Sequence, residues 1–264
     1  MTVLIASTFG ATKNYPDREM MAKTLGLFIE SLRRQTDPGW RLFLSCHDVP
    51  LDFAIEERIH WCSLAPDAEC DQTLIPEHYP KTLAEPIYYK KVGYGSKTTD
   101  MSRKTYNSVI EACRWAHRNS IRHFWLLRMD SDDLLAKDHV ETLHKVGAMG
   151  AKAVFNRTCH MWDPKRSEFA IHRYPYSTTC NALLYEVDGE GLTPDWYYHC
   201  DDHTRFARRI VQDKIPYREV DYALCIITNS GNSISNRPEI DKERFTEKIT
   251  LTEALKDRYG IKDF

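Results

Sequence analysis

"FWLLRMDSDDLLAKDHV", residues 124–140, packs three carboxylates into the four residues Asp130 to Asp133, directly behind an apolar run. The apolar run reads as a buried β-strand, and "DHVETLHKVGAMG" (138–150) reads as a helix with a glycine stop. A strand that ends in acids and leads into a helix belongs to an α/β sheet, and such sheets bind ligands at the carboxyl ends of their strands. Carboxylates this close repel one another, and their pKa values rise unless a cation compensates. Mg2+ and Mn2+ prefer oxygen ligands, commonly one or two carboxylates plus phosphate oxygens. The stretch therefore predicts a divalent-metal site that carries a phosphorylated ligand. A plainer reading stands beside it, in which Asp132 or Asp133 caps the next helix and the other acids are solvated.

Working outward, "TVLIAST" (2–8) reads as a buried first strand, followed by a loop and by a helix from an Asp17 cap through Leu32. "RLFLSCHD" (41–48) and "RIHWCSL" (58–64) read as the second and third strands, with Asp48 at a carboxyl end. Residues 65–98 read as a long irregular insertion. In "SRKTYNSVIEACRWAHRN" (102–119), Val109, Ala112, Cys113 and Ala116 recur at helical spacing. This alternation predicts an α/β fold with a mainly parallel sheet. Beyond residue 150, "AKAVFNRT" (151–158) and "TTCNALLYEV" (178–187) read as strands separated by a polar, aromatic segment. Asp201 and Asp202 open a basic helix, and "YALCIIT" (222–228) is a late strand.

The bulk properties restrict the function classes. With 42% hydrophobic residues the 264-residue chain can bury a real core. Lys plus Arg is 36 against 38 Asp plus Glu, which lacks the basic excess of a nucleic-acid partner. The first apolar run, Val3 to Ala6, is too short for a signal-peptide core, and no run approaches a membrane span. The eight cysteines are scattered without a CxxC pair and read as reduced thiols. A cytoplasmic protein is the expectation.

The segment "LLRMDSDD", preceded by a helix containing "YNSVIEA", resembles the DxD region of GT-A glycosyltransferases. More narrowly it is similar to a bacterial rhamnosyltransferase group with an Arg-x-Asp-x-Asp-Asp signature; "QTDPGWRLFLSCHD" resembles the second strand of that fold. The resemblance implies one GT-A-like (Rossmann-like) domain over 1–264, with a mixed, mainly parallel sheet flanked by helices. Residues 1–133 would bind a nucleotide-diphospho-sugar donor with Mn2+ or Mg2+, and residues 134–264 a carbohydrate or glycolipid acceptor. The implied activity is an inverting hexosyl transfer, of the kind used in bacterial surface polysaccharide synthesis. No membrane span is implied; peripheral association stays open.

Carried over residue by residue, Asp130 and Asp132 form the DxD pair, with Asp132 the direct metal ligand and Asp130 on the ribose or a metal-bound water. Asp133 supports the loop. Thr8 and Phe9 lie beside the base, Asp48 beside base or ribose, and Arg128 on an acidic neighbour or the diphosphate. Asp202 is the catalytic base and Asp201 orients the acceptor; either could instead cap its helix. The late metal-ligating His of many relatives has no counterpart in "IITNSGNSISN", which offers Asn229 and Asn232, and His199 or His203 is the substitute.

Other features point elsewhere or nowhere. His199 and His203 are four apart, yet Cys200 stands where a hydrolytic HExxH site needs its glutamate. "KKVGYGSK" (90–97) lacks Walker spacing and reads as a surface loop. Trp162, Tyr174, Tyr176, Trp196 and Tyr197 suit either a sugar-stacking platform or ordinary packing. Two rival classes share the fold: a sugar-phosphate nucleotidyltransferase, against which "STFGATKNYPD" offers a single glycine, and a non-catalytic carbohydrate-binding protein.

Overall fold

The computed structural model describes residues 1–9, 18–47, 56–63, 96–174, 178, 180–186, 203–228 and 247–261. A seven-stranded sheet forms its centre. Four parallel strands come first: β1 (Thr2–Thr8), β2 (Trp40–Cys46), β3 (Ile59–Ser63) and β4 (His123–Arg128). The order β3-β2-β1-β4 is continued by β9 (Asn181–Glu186), β6 (Ala153–Asn156) and β10 (Tyr217–Val220). β9 runs antiparallel to both β4 and β6, and the remaining pairs are parallel. The expected mixed, mainly parallel sheet is present.

Alternation along β1 and β4 sorts side chains to two faces. Leu4, Ala6, Phe124 and Leu126 pack with Val109, Ala112, Cys113 and Ala116 of helix α2 (Ser96–Arg118). Val3, Ile5, Trp125 and Leu127 pack on the other face with Leu25, Phe28, Ile29 and Leu32 of α1 (Arg18–Arg33). Full burial of each such aliphatic or aromatic side chain contributes about 1.5–3 kcal/mol. α2 begins six residues before the expected start, in polar "SKTTDM", where no apolar periodicity marks it. α3 (His139–Ala148) and α4 (His203–Gln212) fall where helices were expected.

A second sheet was not foreseen. β7 (Thr158–Asp163) and β8 (Glu168–Arg173) form an antiparallel hairpin in the segment read as a polar separator. Its polar residues hid it: His160 and Asp163 are buried, so the alternation of apolar with polar residues is lost. β11 (Cys225–Thr228) lies parallel to β7, and β5 (Leu134–Leu135) antiparallel to β11; β12 (Glu247–Lys248) flanks β8. The second sheet thus joins β5, the strand that leaves the acidic stretch, to the late strand β11.

Helix α5 (Glu253–Tyr259) closes the described chain, N-capped by Thr252 and ended by Gly260 in the left-handed region. Its Tyr259 is fully buried; the hydroxyl donates to the Ala223 carbonyl (3.1 Å) and lies 2.8 Å from His160 Nδ1. Cys46, Cys62, Cys113, Cys159, Cys180 and Cys225 are free and buried, in keeping with reduced thiols. No helix among the described residues is long and apolar enough to cross a membrane.

Candidate active site

Three parallel strands end together at one edge of the central sheet. The β1–β4 register pairs Ala6 with Arg128, and the Met129 amide continues it by donating to the Ala6 carbonyl at 3.0 Å. Thr8 ends β1 two residues past Ala6, and Asp130 follows the end of β4 by two residues. On the other side the Phe9 amide donates to the Ser45 carbonyl, 2.8 Å away, tying the end of β1 to the end of β2. Thr8 and Phe9 are both buried, and the Phe9 ring belongs to the apolar core, so Phe9 offers its backbone at this edge. From α2, Asn107 Nδ2 donates to Ser45 Oγ (3.1 Å) and to the Cys62 carbonyl (3.2 Å), securing the ends of β2 and β3.

The acids fill the short loop between β4 and β5. They do not cap α3: that helix starts at His139 behind Asp138, whose side chain makes no capping bond. Their roles differ. Asp133 is 2% exposed, and its Oδ1 accepts the Thr228 backbone amide at 3.1 Å, which pins the loop to the end of β11. Asp130 is partly exposed, with Arg128 Nη2 at 4.0 Å from its Oδ1. Asp132 is half-buried, and burial together with the Asp130 charge pushes its carboxyl up to about 7. Asp130 and Asp132 therefore form a pair whose full ionisation is costly in the protein alone.

That cost is the test of fit for a divalent cation. Two oxygen-ligand carboxylates at a strand end suit Mg2+ or Mn2+, which commonly take no more from the protein. Among the described residues no three His, Cys, Asp or Glu side chains group to hold a metal ion.

Several expected site residues lie outside the described residues: Asp48, Asp201, Asp202, His199, Asn229 and Asn232. His203 is the first residue of α4, and its side chain falls outside the description. Of the aromatic platform, Trp162 is 3% exposed and sits in the core, whereas Tyr174 meets His172 edge-on at 4.6 Å; the other three lie outside.

Sequence reasoning passed over Lys104 and Thr228. Lys104 is fully buried on α2, one turn before Ser108, on the face that packs against β1 and β2. The signal was there: positions 104, 108, 112 and 116 share one helical face, and a lysine opens it. A cleft of about 270 Å3 borders the same edge, lined by Phe43, His60, Trp61, Cys62, Asn107 and Glu111 among others.

Neither a protein-family model nor a curated protein matches this sequence. Among solved structures, the chain is similar to one from Bacillus anthracis described as a glucose-1-phosphate thymidylyltransferase in complex with a sucrose. The identity is 11% over 84% of this chain and 87% of the other, with a TM-score of 0.38. A likeness that loose carries no argument about activity.

Proposed function

We propose that this chain is a metal-dependent glycosyltransferase that moves a sugar from a nucleotide-diphospho-sugar to a hydroxyl acceptor with inversion. The observation that carries the reading is the Asp130–Asp132 pair at the carboxyl end of β4, where burial and mutual charge push Asp132 up to about 7. A Mg2+ or Mn2+ ion on this pair would relieve that charge and, when bound, neutralise charge developing on the departing diphosphate. Arg128 steadies Asp130, and Asp133 fixes the loop through Thr228. Thr8 and the end of β2 border the space for the nucleoside.

The proposed transfer needs one further group. A carboxylate must take the proton from the acceptor hydroxyl as its oxygen attacks the anomeric carbon, and Asp202 is assigned that task on sequence grounds, with Asp201 orienting the acceptor. The bond from that oxygen to the anomeric carbon forms as the bond to the diphosphate breaks.

Titration calorimetry with UDP- and dTDP-sugars, with and without Mn2+, tests the reading. Metal-dependent donor binding that disappears in Asp132→Asn is expected; a protein that binds no donor under either condition would be a scaffold. Sugar-phosphate nucleotidyl transfer uses a similar sheet edge and metal-bound phosphates. Release of pyrophosphate from a nucleoside triphosphate and a sugar 1-phosphate would establish that rival in place of glycosyl transfer.

A further inference from the structure

Two turns meet at the end of the central sheet that lies opposite the acidic edge. β9 runs antiparallel to both β4 and β6, and β10 is parallel to β6, so β6 and β10 begin at the end where β1, β2 and β4 begin. The turn into β6 follows α3, and the turn into β10 follows α4. The Lys152 amide donates to the Pro216 carbonyl at 2.7 Å, which lays the two turns side by side. The Ile215 amide donates to the Ile210 carbonyl at 3.1 Å, which folds the second turn onto the end of α4.

This end of the molecule is both apolar and cationic. Met149, Val211 and Tyr217 are 61%, 51% and 43% exposed, three of the five large hydrophobic side chains exposed among the described residues. Exposed apolar residues scattered singly are ordinary, whereas a group of them marks an interaction surface. Residues 149–152 and 208–218 carry Lys152, Arg208, Arg209, Lys214 and Arg218 against one acid, Asp213, in a chain of net charge -2. Lys152, Arg208, Lys214 and Arg218 are exposed and form no ion pair with a described residue. Tyr217 stacks on Phe155 (5.1 Å) on the side of α4, and strand alternation puts Arg218 on the side of α3. The groups therefore surround the end of the sheet from both layers.

We propose that this end docks onto an anionic lipid bilayer, with Met149, Val211 and Tyr217 entering the interface among the headgroups. Lys152, Arg208, Lys214 and Arg218 then face the lipid phosphates. Apolar anchors ringed by Lys and Arg suit such a surface, and a tyrosine ring sits well at headgroup level. Pairing with a second copy of the chain through the same patch would set cations against cations. A nucleic-acid backbone would engage the cations but leave Met149 and Val211 without a use. The bilayer engages both. The acidic edge is left facing away from the lipid, so the inference stands apart from the metal reading above.

The experiment floats the full chain with vesicles of pure phosphatidylcholine, or with about a third of it replaced by phosphatidylglycerol. Wild type is expected to float with the anionic vesicles only, and added NaCl to release it, because salt screens exposed charges. The double variant Lys152→Glu/Lys214→Glu is expected to raise the lipid concentration for half binding about tenfold. Val211→Asp, which leaves every cation in place, is expected to raise it about fivefold. Melting temperatures should stay within about 2 °C of wild type, since each altered side chain is exposed. Should either variant melt earlier, Met149→Ser and Arg208→Gln take its place. Flotation with both vesicles alike, flotation with neither, or anionic flotation that the variants retain in full would overturn the inference. A dimer seen by analytical ultracentrifugation and lost in Val211→Asp would overturn it too, giving the surface to a second copy of the chain.

Discussion

Asp133 Oδ1 accepts the backbone amide of Thr228 at 3.1 Å, although the two residues are 95 positions apart. Through this bond the loop behind β4 is held by the second sheet, not by the helix that follows it in sequence. Asp133 thus serves the frame of the loop, and under the proposed function its neighbours Asp130 and Asp132 would serve the ligand. Substitution should separate the two roles. Asp133→Ala leaves the buried Thr228 amide without an acceptor and is expected to cost about 1–3 kcal/mol in denaturant unfolding. Asp132→Asn is expected to keep or raise ligand-free stability while Mn2+ binding drops at least tenfold. Equal stability losses in both variants would contradict the division.

Stability should depend on pH through Asp132. Its carboxyl sits at about 7 in the folded protein against about 4 unfolded, so the folded state holds the extra proton between those values. Ligand-free stability from this group therefore falls as pH rises from about 4 to about 7. Urea unfolding across that window should show the decline, Asp132→Asn should remove it, and saturating Mn2+ should offset it near pH 7.

Two buried histidines pull the other way. Burial lowers His139 and His160 to about 4, so both stay neutral in the folded protein near neutral pH. A group depressed from about 6.5 supplies stability that is present above that value and lost as pH falls toward 4. Both ring nitrogens of His139 lack hydrogen-bond partners among the described residues. His139→Leu should weaken acid destabilisation below about pH 6.5 in thermal melts recorded between pH 4.5 and 7. An unchanged acid limb in that variant would show that His139 charges without cost.

Asp202→Asn should abolish sugar transfer while donor affinity, measured by calorimetry with Mn2+, stays within about twofold of wild type. Unchanged turnover would refute the base assignment, and lost donor binding would move Asp202 to the donor side of the site.

Asn107→Ala removes two hydrogen bonds, to Ser45 Oγ and to the Cys62 carbonyl, that join α2 to the ends of β2 and β3. The expected loss is about 1–2 kcal/mol in unfolding free energy. Hydrogen exchange should locate the loosening at those strand ends.

The sequence by itself determined the four leading strands of the central sheet, whereas β10 (Tyr217–Val220) carried no signal that was read as a strand. The apolar runs of β1, β2 and β4 bury both faces, so their identity as strands needs no distant partner to be read, and the acids at Asp130, Asp132 and Asp133 mark where β4 ends. Helical spacing in α2 and α3 likewise expresses a local period. What only the tertiary structure decided was the second sheet and the division of labour among the acids. His160 and Asp163 are polar yet buried, so the β7–β8 hairpin carries no local alternation, and only contact with β11 and α5 reveals it. Asp132 and Asp133 are adjacent and chemically identical. One is strained by burial and a neighbouring charge, the other satisfied by Thr228, because environment rather than residue type sets what a carboxylate does.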